Sequence, residues 1–230
     1  MSISLQNVFY SYQGKYQTVL AVNGVSYDFK PATMYAIVGS SGSGKTTLLS
    51  LMAGLDLPTE GEIVIDGKST KQWNRAALRR DCIGVIYQNF NLFPLLTVKE
   101  NICYPLELKH TPGKEASEIA ERVRSRVELP ESYNSRLPKQ LSGGEQQRVA
   151  IARTLAQGCK IILADEPTGN LDSTNTQNIV DILKRLAHED GCTVIIVTHD
   201  HAVAAQADVV LKMKDGRWND SGTSKAQEHF

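Results

Sequence analysis

Gly39-Ser40-Ser41-Gly42-Ser43-Gly44-Lys45-Thr46 fits the pattern G-x-x-x-x-G-K-S/T, whose chemistry is the cradling of a polyphosphate. Its glycines let backbone amides turn inward on an anion, and a helix starting at the loop would present its positive end to the same charge. Lys45 would reach the terminal phosphates and Thr46 would ligate magnesium. The apolar run 161–164 ends in Asp165-Glu166, which offers one carboxylate to magnesium and its neighbour to a water molecule. Two acids at a buried strand end are costly unless a cation or a proton compensates them. Ser142-Gly143-Gly144-Glu145 sets Ser and Glu three apart as a capping box. Its two glycines leave the amides of a helix start uncovered, a second potential phosphate site. His199-Asp200 follows the apolar run 193–198, and the carboxyl ends of strands are where an open α/β sheet places its ligand.

These residues need a scaffold, and the patterning predicts one. The run 34–38 before the phosphate loop reads as a strand, and the leucine-rich stretch 47–54 after it reads as a helix. Residues 83–87, ending at Gln88, and the run 193–198 are apolar enough for buried strands, 161–164 is an apolar strand, and 209–213 suggests a final strand before a turn. Stretches 4–10 and 25–29 alternate apolar with polar residues, with a turn at Gln13-Gly14-Lys15, and 60–67 adds a short strand to the same antiparallel layer. Residues 68–80 are polar and helix-permissive. Residues 89–105 have no clean period, so a partner-binding surface and ordinary packing both stay open. Thr111-Pro112 reads as the cap and first turn of a helix running to Pro130, a second helix starts at Ser142, and 179–187 is amphipathic. One domain over 1–230 is expected: an antiparallel and parallel β core at about 1–88 and 157–217, a helical part at about 89–156, and a polar, frayed tail at 218–230.

Composition limits the function. With 25 basic and 25 acidic residues the net charge is zero, so the field that would recruit nucleic acid is missing. Cys82, Cys103, Cys159 and Cys192 form no C-x-x-C pair and read as buried, reduced thiols. The amino terminus lacks a secretory pattern, and no run approaches the roughly 20 apolar residues of a spanning helix. A soluble protein of a reducing compartment is expected, reaching a membrane only through a partner.

With these elements in order, the chain resembles the ATP-binding cassette (ABC) ATPases from about Leu5 to Trp218. The signature of that family stands here as Leu141-Ser142-Gly143-Gly144-Glu145-Gln146-Gln147-Arg148. The resemblance implies a P-loop, RecA-like α/β core with a mainly parallel sheet, an antiparallel β subdomain and an inserted α-helical subdomain. It implies ATP and magnesium bound by residues 39–47, with Ser40, Ser41, Ser43 and Thr47 beside the glycines, Lys45 and Thr46. Tyr12 resembles the aromatic residue that stacks on adenine, although Tyr10 and Tyr16 lie close by. Gln88 resembles the glutamine that contacts magnesium and the attacking water, Asp165 the magnesium carboxylate, and Glu166 the general base. His199 resembles the histidine that senses the terminal phosphate, and Asp172 the aspartate that communicates between subunits. Ser142, Gly143, Gly144 and Glu145 would cover the ATP of a second copy, giving two composite sites.

Gly169-Asn170 within 165–172, where many members have Ser-Ala, resembles the lipoprotein-releasing, macrolide-exporting and cell-division ATPases. This implies an exporter or mechanotransmission subunit at the cytoplasmic face of the membrane, docked on an integral permease. The alternatives are an importer ATPase, a soluble non-transport ABC protein working on DNA repair or translation, and a small-molecule kinase.

Overall fold

The computed structural model describes residues 1–14, 17–219 and the backbone of 224–225. Strands β1 (Ile3–Gln13) and β2 (Thr18–Phe29) precede β3 (Thr33–Val38), which feeds helix α1 (Lys45–Met52). Strands β4 (Glu60–Ile65) and β5 (Lys68–Ser69), helix α2 (Arg75–Asp81) and strand β6 (Ile83–Ile86) come next. Helices α3 (Val98–Leu108), α4 (Gly113–Arg126) and α5 (Gly143–Ala156) then follow in succession. The chain returns through β7 (Ile161–Asp165), α6 (Ser173–His188), β8 (Thr193–Val197), α7 (His201–Ala204) and β9 (Val209–Lys214) to the short strands β10 (Arg217–Trp218) and β11 (Ser224–Lys225).

One sheet is antiparallel, in the order β2-β1-β4-β5. The other has the order β10-β9-β3-β8-β7-β6, parallel from β9 to β6, with β11 also paired to β9. Alternate residues of its central strands enter two separate cores. Met34, Ala36, Ile162, Ala164, Val194 and Ile196 face α3 to α6, whereas Tyr35, Ile37, Ile161, Leu163, Ile195 and Val197 face α1 and the antiparallel layer. Period-2 side chains buried on both faces produce the unbroken apolar runs seen in the sequence. The α/β architecture agrees with the expected fold class, and all four cysteines are buried free thiols.

Three stretches differ from their sequence readings. Residues 68–80 do not form one helix: β5 and a single 3₁₀ turn (Thr70–Gln72) come first, and α2 starts only after Asn74, whose side chain accepts the Ala77 N–H. Helix α3 lies inside the stretch that showed no period. It opens on a Thr97–Glu100 capping box and carries Pro105 internally; this proline has no N–H for the Asn101 carbonyl and masks the helical signal. Pro112 stands at the cap of α4 and not inside its first turn. In the polar stretch 218–230, Trp218 and 224–225 pair with β9; residues 220–223 and 226–230, with Lys15 of the expected turn and Tyr16, lie outside the described residues. Among the described residues no helix is long and apolar enough to cross a membrane.

Candidate nucleotide site

The phosphate loop connects the end of β3 to α1. Gly44 is the residue before the helix, at φ 99° and ψ 3°, and a Cβ there would lie 2.2 Å from the Ala21 carbonyl oxygen. The left-handed turn aims the first amides of α1 out of the sheet, where an anion would meet N–H groups together with the positive helix end. Lys45 is buried, and its Nζ donates to the carbonyls of Gly39 and Ser40, each at 2.9 Å. The Ser43 hydroxyl is buried with no hydrogen-bond partner among the described residues. Together they present donors around a small concavity and hold a cation at its floor.

Strands β7 and β8 bring the carboxylates and the histidine to the same edge. The Thr46 hydroxyl donates to Asp165 Oδ1 at 3.2 Å. Burial pushes the Asp165 carboxyl up, and the charge of Glu166 adds to this, while the Thr46 bond and Lys45 act the other way. Glu166 has a left-handed backbone, φ 46°, fixed by its N–H to the Val197 carbonyl at 2.9 Å. A non-glycine residue there costs about 1–3 kcal/mol and persists where its surroundings over-determine it. Its Oε1 lies 2.8 Å from His199 Nδ1, and the His199 N–H points at Oε2 from 3.4 Å.

That pair has a pH signature. The hydrogen bond to Glu166, then the charge of Glu166, raises the His199 imidazole above its ordinary 6.5. A raised folded value contributes stability that is fully present below the unfolded value and is lost as pH rises through the folded one. The melting temperature of the wild type minus that of His199→Ala is therefore expected to be largest below about pH 6.5 and to shrink at higher pH. A difference that grew with pH would reject the ion pair.

The cavity over the loop has a volume of about 440 Å³ and is lined by Tyr12, Val19, Leu20 and Ala21 on one side and by Lys45, Thr46, Thr47, Glu166 and His199 on the other. The Tyr12 hydroxyl is 3.1 Å from Thr47 Oγ1, and its ring packs edge-on to Tyr10 at 5.0 Å between centroids. The ring reaches the cavity from β1, 47 % exposed; Tyr10 does not line it. Residues 142–145 stand apart from this cavity. There the Ser142 and Glu145 backbone and side chains exchange hydrogen bonds at 2.7 and 3.3 Å, capping α5 as expected. Burial raises the Glu145 carboxyl, but donors from Ser142 and Tyr133 outweigh it and leave the group below its ordinary range. Glu145 thus closes the cap; Gly143 is half-buried, and Gly144 is buried, not uncovered as its lack of a side chain suggested.

The family model described as ABC transporter matches residues 22–169. The chain belongs to the ABC transporter family. It is an ATP-binding, ATP-hydrolysing cassette of that family. An uncharacterized ABC transporter ATP-binding protein of Methanocaldococcus jannaschii, MJ0796, is 44 % identical over 220 residues, 93 % of this chain and 94 % of its own length. A dimeric structure of MJ0796 in a post-hydrolysis state with ADP and Pi superposes with a TM-score of 0.89, at 41 % identity, covering 99 % of this chain and 100 % of that one. The lipoprotein-releasing system ATP-binding protein LolD of Shewanella frigidimarina is 41 % identical over 217 residues, 93 % of this chain and 90 % of its own. The macrolide export ATP-binding/permease protein MacB of Campylobacter jejuni is 43 % identical over 211 residues, 90 % of this chain but 33 % of MacB.

In this ABC cassette the segment 169–172 joins two regions that the sequence presents as separate. Gln88 Nε2 lies 3.5 Å from Asn170 Oδ1, and Asn170 Nδ2 lies 3.4 Å from the Gln88 carbonyl. The Gln88 side chain thus turns toward Asn170 and does not line the cavity. Asp172 caps α6, accepting the Asn175 N–H at 2.9 Å and its side-chain Nδ2 at 2.6 Å. These donors, the backbone one first, hold the Asp172 carboxyl below its ordinary range. Asn175 and Tyr133 carry no sequence motif of their own, and the contact of Asn170 with Gln88 has no sequence signal. Val19 and Leu20 had a signal, the unbroken run 19–22, which lacks the alternation that identified the later part of β2.

Proposed function

We propose that the cassette drives an integral membrane permease of the exporter or mechanotransmission type from the cytoplasmic face, by ATP-dependent closure of two copies. The observation that carries this reading is the division of the phosphate-binding parts. Ser41, Gly42 and Gly44 to Thr46 of the loop line one cavity with Glu166 and His199, while the helix start at Ser142 lies outside it. A second copy related by two-fold symmetry would bring its Ser142 and Gly144 over that ATP and complete both sites. The dimeric MJ0796 structure supports this arrangement.

The reaction proposed is in-line attack of water on the γ-phosphorus of ATP. The new P–O bond forms as the bond to the β–γ bridging oxygen breaks, ADP departs, and the water proton passes to Glu166. Lys45 would exchange its contacts with Gly39 and Ser40 for phosphate oxygens, and His199 both orients Glu166 and donates toward the γ-phosphate. The residues fit a magnesium ion: the Thr46 hydroxyl and Asp165 carboxylate already meet, and a buried carboxylate pushed up by desolvation is one that a divalent cation relieves. Such an ion, held by these two groups, would neutralise charge on the phosphates.

In this reading the permease would dock at residues 93–97. Leu95 is 87 % exposed, and Phe93, whose ring packs on Tyr104 at 4.4 Å between centroids, is also exposed on its outer side. The kinship with LolD and MacB, together with Gly169-Asn170, favours exporters over importers. Purification of the tagged chain from membranes tests this. Recovery of an integral permease is expected; recovery with ribosomes or DNA alone overturns it, and phosphate release without an acceptor separates the reading from a kinase.

A further inference from the structure

Between the start of α5 and the start of α6 one amide side chain touches three functional neighbours. Asn175 donates from Nδ2 to Asp172 Oδ2 at 2.6 Å and accepts from Arg148 Nη1 of α5 at Oδ1, 3.3 Å away. Its side chain also lies close against Gly144: a Cβ added there would fall 2.2 Å from Asn175 Oδ1 and 2.4 Å from its Cγ. The signature helix can therefore approach this closely only because Gly144 has no side chain. On the same side, Leu171 Cδ2 lies 3.6 Å from the Cβ position of Gly143.

We infer that Asn175 is a positioning residue that locks the Asp172 segment to the first turn of α5, so that both present one fixed face to the ATP held by a second copy. This rests on the composite-site reading above. The amide suits the place because it both donates and accepts. Asp172 is ionised and can only accept, and Arg148 can only donate. An aspartate in place of Asn175 would satisfy Arg148 but set two carboxylates against each other, unless they share a proton. The charged groups facing the position are Asp172 at the cap of its own helix and Arg148 from α5. Glu145, one turn earlier on α5, is already engaged by Ser142 and Tyr133.

The test uses the full chain carrying Glu166→Gln as the parent, with dimerisation followed by light scattering against ATP concentration. Adding Asn175→Ala is expected to raise the half-maximal ATP concentration about tenfold, the scale of one lost hydrogen bond to a charged group. Adding Asn175→Asp is expected to raise it at least as much at about pH 8 and to return most of the way to the parent at about pH 5.5, where the carboxylates share a proton. The Ala variant, which has nothing to protonate, keeps its shift relative to the parent at both values. Unchanged ATP dependence in both variants overturns the assignment, even where melting temperature falls, because the residue would then serve only the helix start. A defect in the Asp variant that acid does not relieve overturns it too. A parent that stays monomeric at all ATP concentrations overturns the composite site itself, and this inference with it.

Discussion

Glu166→Gln is expected to bind ATP, to lower turnover by about 10²- to 10⁴-fold, the usual worth of general-base assistance, and to accumulate as a closed dimer. Glutamine keeps the size of the side chain and an oxygen that can accept from His199, so the contact at 2.8 Å can persist. What it loses is the capacity to take a proton from water. The phosphate loop, Lys45 and the Thr46–Asp165 pair are untouched, so affinity should hold. Closure follows from the same logic: if ATP joins two copies and hydrolysis releases them, removing hydrolysis leaves them joined. Phosphate release and sedimentation with ATP measure the two effects separately. Normal turnover would remove Glu166 from the chemistry; lost turnover with a monomer at saturating ATP would keep the base and reject the clamp.

A second large effect is expected from Gly44→Ala, with Gly42→Ala as its internal control. Both glycines have positive φ, 99° and 78°, so each alanine is strained. They differ in their surroundings: nothing lies within 4 Å of the added Cβ at Gly42, whereas at Gly44 it would meet the Ala21 backbone oxygen at 2.2 Å. A carbonyl of β2 cannot rotate away as a side-chain tip can, so either the strand edge or the loop must move. Strain and overpacking together are expected to cost about 2–5 kcal/mol at Gly44, against about 1–2 at Gly42. For Gly44→Ala this corresponds to a fall in melting temperature of about 4–20 °C for a chain of this size. ATP affinity should fall with it, because the displaced residue begins the helix whose amides face the phosphates. Equal losses at the two positions would show that backbone strain alone governs the loop.

The residues of the candidate site were legible in the sequence because the fold places them at strand ends. An apolar run followed by Asp165-Glu166 or by His199 identifies both the strand and the edge it serves, and Ser142 with Glu145 specifies a helix start by purely local bonds. The elements that escaped depend on tertiary context. Helix α3 is held by packing despite Pro105, and β2 begins in a run whose exposed Val19 and Leu20 break the alternation. The meaning of Asn170 and Asn175 arises only when segments distant in the chain, at Gln88 and at Arg148, are folded against them. Asparagine in a loop or at a helix start has a local explanation ready, which hides a long-range one.

Asn101 has a consequence for recognition. This fully buried amide donates to the carbonyls of Phe93, Leu96 and Thr97 and accepts the Phe93 N–H. It therefore freezes the segment that displays Leu95. A segment whose backbone is fixed at folding has little backbone freedom left to surrender on association. Contact with a membrane subunit should accordingly behave as the meeting of two finished shapes, carrying a small entropic penalty, and loosening Asn101 should weaken that encounter without any change at the nucleotide.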